Sequence, residues 1–204
     1  IYEFQTMMTR LLQMKVANAS VYDGATAMAE AILMAIRANK KNKSRRVLVA
    51  GDINPSYIEA SQVIVRNQGV ELEVQGFDEG SGLVGLVDEP GDFCALVGSY
   101  PNYFGGLPDV DALTDWCHQN GALMVGVVNP TAMALLKPPG EWGKEGADIA
   151  VGEGQPLGIP VSSGGPYLGF MCCKQAIVRQ MPGRIIGRTS DVDGSDGFTL
   201  TLQA

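Results

Sequence analysis

The chain has 204 residues, 46% of them hydrophobic and 18% charged, with a formal net charge of −7. That length supports one α/β domain with a sizeable core, and the apolar lean suits a sheet covered on both faces or a large partner interface. The acidic balance argues against a nucleic-acid partner, and the absence of an apolar run near ~20 residues argues against a membrane span. The only basic run, Lys40–Arg46, sits between elements and reads as a solvated loop. The cysteines Cys94, Cys117, Cys172 and Cys173 show no CxxC spacing, and His118 is the single histidine, so no metal site is expected.

Tyr2–Met14 places Phe4, Met7, Met8, Leu11 and Leu12 at helical spacing, with Val16–Ala19 as a short connection. Gly24–Asn39 is Ala-rich and apolar nearly all round, which predicts a buried helix with Asp23 as its N-cap. Alternating units follow. Arg46–Ala50 reads as a strand, Pro55–Gln68 as a helix with proline in its first turn, and Glu71–Phe77 as an edge-like strand. Leu83–Leu86 reads as a short helix and Phe93–Gly98 as an inner parallel strand. Asp109–Gln119 is a helix, while Ala122–Val128 and Asp148–Val151 are buried strands. Tyr167–Cys173 returns antiparallel, and Phe198–Gln203 alternates like a strand. The alternation predicts a mostly parallel open sheet with helices on both faces, one α/β domain over residues 1–204. Chain ends that fall inside element patterns suggest a fragment of a longer subunit.

In such sheets, sites lie at the carboxyl ends of the strands, here the loops Ser99–Gly106, Asn129–Pro139 and Gly152–Gly165. The last contains an Ile-Pro step and a Gly-Gly-Pro turn, the kind of turn that carries the imine lysine in pyridoxal phosphate enzymes built on a doubly wound sheet. Its centre is Gln155, whose carboxamide forms no imine. Such a site also needs a helix N-terminus for the phosphate and a strand-end carboxylate for the pyridine nitrogen. Gly24 starts a helix, but the Asp23 cap competes for the same N–H donors. At ~4 Å and an effective dielectric of ~20, a like-charge pair costs about 4 kcal/mol. Asn129 stands where the carboxylate is wanted and, before Pro130, is equally a turn initiator. Asp23, Gly24, Asn129 and Gln155 together describe a site skeleton without its charges.

Other patterns carry less. GEG and SSGG match no dinucleotide or P-loop fingerprint. Asp191–Gly197 resembles the start of a calcium loop, but Leu202 occupies the place of the bidentate glutamate. Ser162 and Ser163 lack a GxSxG context. Lys137, flanked by prolines, suggests a rigid lid or interface loop.

The segments NASVYDGATA (Asn18–Ala27), PNYFG (Pro101–Gly105), LLKPPGEWG (Leu135–Gly143), GADIAVGEGQPLGIPVSSGGPYLGF (Gly146–Phe170) and MPGRIIGRTSDVDGSDGF (Met181–Phe198) resemble the glycine decarboxylase P-protein of the glycine cleavage system. They resemble its N-terminal half, a separate alpha subunit (subunit 1) in many bacteria. The resemblance implies a fold-type-I large domain in an enzyme that decarboxylates glycine on pyridoxal phosphate and passes the aminomethyl group to lipoylated H-protein. It places the imine lysine in the C-terminal half or beta subunit. Superposing the Ile-Pro and Gly-Gly-Pro frames puts Gln155 where that half carries lysine, and Gly154 where it carries histidine. The implied role is a non-catalytic partner half, with no catalytic residue and no cofactor of its own. The implied location is the cytoplasm in a bacterium or the mitochondrial matrix in a eukaryote. The alternatives are a self-sufficient pyridoxal phosphate enzyme using Lys137 or Lys174, and a nucleotide-binding α/β domain.

Overall fold

The computed structural model describes residues 1–78, 83 and 84 (backbone only), and 90–201. In chain order the elements are α1 (Tyr2–Leu12), β1 (Val16–Ala17), α2 (Gly24–Ala38), β2 (Arg46–Ala50), α3 (Pro55–Val65) and β3 (Glu71–Gln75). They continue with β4 (Phe77–Asp78), β5 (Leu83–Val84), β6 (Ala95–Tyr100), α4 (Val110–Gln119) and β7 (Leu123–Val128). The chain then forms β8 (Ile149–Glu153), β9 (Gly169–Cys173), β10 (Ile185–Ser190) and β11 (Asp196–Thr201).

Seven strands make one sheet in the order β1-β9-β8-β7-β6-β2-β3. Pairing is parallel from β3 through β8, and β9 runs antiparallel to both of its neighbours. Period-2 alternation sends Val97, Val125, Val127 and Ile149 into a core with α2 and α3, and Leu96, Met124, Val128 and Ala150 into a core with α1 and α4. Both faces are therefore covered, which explains why the inner strands are apolar without a break. Helix α2 is the central element of its layer: Ala27, Met28, Ala29, Ala31, Ile32, Met34 and Ala35 have no exposed surface. Small alanines let it lie close against the strands. Asp23 caps it by accepting from Thr26 N (2.7 Å), and Thr26 Oγ1 accepts from Asp23 N (3.1 Å), a reciprocal capping box. At its other end Asn39 donates to the Cys94 and Gly121 carbonyls, so α2 runs against the parallel strands. Its N-terminus therefore lies at their carboxyl edge.

Several elements differ from the sequence reading. Val16–Ala17 is the outer strand of the sheet, paired with Cys173 and Cys172. Residues Leu83 and Val84 are extended and pair with Asp78 and Phe77, so no helix begins there; Leu86 lies outside the described residues. The edge strand ends at Gln75, and Phe77 belongs to the separate β4–β5 ribbon. On α1, Met7 faces outward and Gln5 faces inward, exchanging hydrogen bonds with the backbone of Ile186 (3.0 and 2.9 Å) to seat the β10–β11 hairpin. Gln203, the expected end of the last strand, is outside the described residues.

The amino edge of the sheet is tied by a polar cluster centred on the buried Asp148. Asp148 accepts from Met124 N (2.8 Å), His118 Nε2 (2.8 Å) and Lys174 Nζ (2.7 Å). Burial opposes its ionisation, but the His118 hydrogen bond and the Lys174 charge outweigh that and hold its pKa below the ordinary carboxylate value. A lowered folded pKa means stability that is present above the unfolded value, about 3.9, and is lost as pH falls through the folded one. Asp148→Asn should cost about 3 kcal/mol at neutral pH and flatten the loss of stability below about pH 4. Urea titrations of both proteins at pH 7 and through the acid range measure this; parallel acid limbs would refute it.

Candidate functional site

A pocket of about 230 Å³ opens at the carboxyl ends of β2, β6, β7 and β8, lined by Asn54, Tyr57, Ser99, Asn102, Asn129 and Glu153 among others. It spans the place where the chain reverses its direction of strand addition, between β2 and β6, where open α/β sheets bind ligands. Its residues follow from register: Ser99, Val127 and Glu153 continue the alternation that faces α2 and α3. Gly152 lets β8 approach β7, since a Cβ there would lie 2.1 Å from the Val128 carbonyl oxygen. The PNYFG loop forms the rim. Asn102 accepts from Phe104 N (3.0 Å) and Gly106 N (2.7 Å) through Oδ1 and donates to Asp52 (3.0 Å), locking the loop to the β2–α3 turn.

Of the four residues singled out in the sequence, Asn129 lines this pocket, and Asp23, Gly24 and Gln155 connect to its lining residues Tyr57 and Glu153; the polar side chains make local hydrogen bonds. Asp23 caps α2. Asn129 Oδ1 accepts from Thr131 N (2.9 Å) and Thr131 Oγ1 (2.7 Å), so it initiates its own turn while lining the pocket. Gln155 donates through Nε2 to the Ile159 carbonyl and closes its own loop. Gly24 begins α2, and its missing side chain is what admits Tyr57: a Cβ there would lie 2.2 Å from the Tyr57 hydroxyl.

Glu153, like Asn54 and Tyr57 at the same pocket, was not singled out in the sequence reading. The Glu153 carboxylate accepts from Gly24 N (3.0 Å) through Oε2, and from Gln155 N (2.9 Å) and Leu168 N (2.8 Å) through Oε1. It thereby links the α2 N-terminus, the Gln155 turn and the start of β9. The one local signal was its position, a carboxylate between glycines at a strand end. Burial, helped by the charges of Glu153 and Asp23, pushes the Tyr57 hydroxyl up to about 12, so it stays protonated.

The lysines considered for an imine lie elsewhere. Lys137 pairs with Asp111 (2.7 Å) in the first turn of α4. Lys174 sits at the amino edge against Asp148. Among the described residues no lysine or arginine lines the pocket. A pyridoxal phosphate group does not fit these residues: the helix N–H it would need is taken by Glu153, the turn offers an amide, and no cation faces the space. The cysteines are free and buried; burial pushes Cys94 up to about 11 and Cys173 up to about 12, which makes them poor nucleophiles. Among the described residues no group of histidine, cysteine or carboxylate side chains could hold a metal ion, and no helix is long and apolar enough to cross a membrane.

The family model described as glycine cleavage system P-protein matches residues 1–204. The chain belongs to that family. A relative named "Probable glycine dehydrogenase (decarboxylating) subunit 1" from Alcanivorax borkumensis is 66% identical over all of this chain and 46% of its own length. A protein of the same name from Thioalkalivibrio sulfidiphilus is 59% identical, with the same coverage. The chain thus spans less than half the length of these relatives. A crystal structure of glycine decarboxylase (P-protein) of the glycine cleavage system, in inhibitor-bound form, superposes with a TM-score of 0.91 at 41% identity, covering 99% of this chain and 44% of that one. The cystathionine gamma-lyase of Lactobacillus plantarum shares the fold at 13% identity, with a TM-score of 0.67 over 87% of this chain and 43% of its own. The architecture is the fold-type-I one expected.

Gly24→Ala should destabilise the chain by about 2 kcal/mol, because the new methyl displaces Tyr57. Adding Tyr57→Phe removes the nearest atom and should restore part of that loss. A double-mutant cycle by urea denaturation reads the coupling, and additive costs would show that the two do not collide.

Proposed function

We propose that residues 1–204 act as one α/β unit, the large domain of a non-catalytic partner half of glycine decarboxylase. In the whole enzyme, glycine would be decarboxylated on pyridoxal phosphate held by the C-terminal half or beta subunit, and the aminomethyl group passed to lipoylated H-protein. The names of the relatives support a subunit role, and their bacterial origin supports the cytoplasm as the location. The observation that carries the reading is the pocket itself. It has the position and frame of a cofactor site, yet Asp23, Gly24, Asn129 and Gln155 supply neither an imine lysine nor a free phosphate cradle.

This half's contribution would be surface and shape. The loops around the pocket expose large apolar side chains: Tyr103, Phe104 and Leu107 after β6, Leu135 after β7, and Leu157, Val161 and Tyr167 after β8. Leu135 is 92% exposed and Val161 73%. Loops held rigid by Asn102 and Glu153 suit a face that builds the entrance to a neighbouring active site.

Borohydride reduction of the assembled enzyme, followed by peptide mapping, should place the pyridoxyl adduct on the partner and none on this chain. An adduct on Lys137 or any other lysine here would overturn the reading. Lys137→Ala and Lys174→Ala should both keep activity in the folded assembly, whereas loss of an imine lysine abolishes it.

A further inference from the structure

We infer that Glu153 is a built-in occupant of the anion cradle at the start of α2, and that its carboxylate closes this half to phosphorylated ligands. The inference rests on the partner-half reading and names the residue that enforces it.

Three backbone N–H groups converge on one carboxylate: Gly24 N, Gln155 N and Leu168 N, at 3.0, 2.9 and 2.8 Å. They come from segments 129, 2 and 15 residues away in the chain. Convergent N–H donors at a helix N-terminus are the construction that holds an oxyanion. Here the oxyanion belongs to the chain. Being tethered, it competes at an effective concentration that a dissolved phosphate reaches only in the millimolar range or above. Asp23 places a second carboxylate at the same helix start, and no cation lines the pocket among the described residues to offset either charge. The cradle is therefore served from within.

The rest of the pocket is not filled in this way. Ser99, 7% exposed, lines the cavity and its hydroxyl has no hydrogen-bond partner. A buried hydroxyl left unpaired carries a desolvation cost, so the cavity keeps an unmet polar demand beside an anion cradle that has none. The space survives while its charged end is plugged. That asymmetry separates Glu153 from Gln155. The glutamine explains the missing covalent chemistry, and the glutamate explains why the cofactor's phosphate finds no place even before chemistry.

The test uses the full-length protein assembled with its partner and inorganic phosphate as the probe, followed by broadening of the ³¹P line. The unmodified assembly reports any phosphate bound by the partner. Glu153→Ala should add saturable broadening with a half-effect on the order of 1–10 mM phosphate. A folded, assembled variant that matches the unmodified protein would overturn the inference, as would unmodified protein that broadens equally. Where Glu153→Ala fails to assemble, Glu153→Gln decides. It keeps the volume and an acceptor oxygen but sets an amide against the Gly24 N–H, and should broaden at higher phosphate; silence there also overturns the inference. Neither failure touches the partner-half reading, which depends on which chain carries the reducible lysine.

Discussion

The structure depends on how α2 is buried. A helix of small and apolar residues can lie flat on a sheet that is itself apolar, and α2 contacts β6, β7, β8 and β9 as well as α3. Once laid down antiparallel to the strands, it delivers its N-terminus to the carboxyl edge and its C-cap, Asn39, to the amino edge. The unsatisfied N–H groups of its first turn then have to be met where the strand-end loops gather. Asp23 meets one and Glu153 another. The site is a consequence of that packing, because any residue ending β8 on the α2 face arrives within reach of Gly24.

Local signals in the sequence were enough for most of the frame. The Asp23 cap, the continuous alanine and methionine run of α2, and the unbroken apolar runs of β6 and β7 are properties of adjacent residues, and their physics is local. What was not legible required partners from elsewhere. Val16–Ala17 is too short to show a period and becomes a strand only because Cys172 and Cys173 offer it a ladder. Leu83–Val84 is fixed by Phe77–Asp78 in the same way. Gln5 turns inward on α1 because the Ile186 backbone supplies both halves of an amide pairing. His118 and Asp148 gave no signal of their own, being thirty residues apart on different elements.

The candidate site divides along the same line. Asp23, Gly24, Asn129 and Gln155 were readable as the positions of a familiar constellation; Asn129 lines the pocket, and the side chains of Asp23, Asn129 and Gln155 make local hydrogen bonds. A bare comparison of residue types describes a site with its charges removed. The geometry describes something more definite. Asn129 and Gln155 build turns, and the Glu153 carboxylate accepts the N–H groups that converge at the start of α2.

That difference bears on what holds the turn in place when no ligand is present. Removing an imine lysine alone leaves a cradle of convergent N–H donors facing an empty pocket, and buried donors without partners cost about 1–3 kcal/mol each. A bound cofactor would ordinarily satisfy them. Where no ligand is bound, such donors need another acceptor. Glu153 meets that need from within: its two oxygens take three donors, and they hold Gln155, Leu168 and Gly24 in register with no ligand present. The loops that expose Leu157, Val161 and Tyr167 hang from that same turn. A single carboxylate therefore serves two ends: it satisfies the convergent donors at the start of α2, and it fixes the turn from which those exposed loops hang.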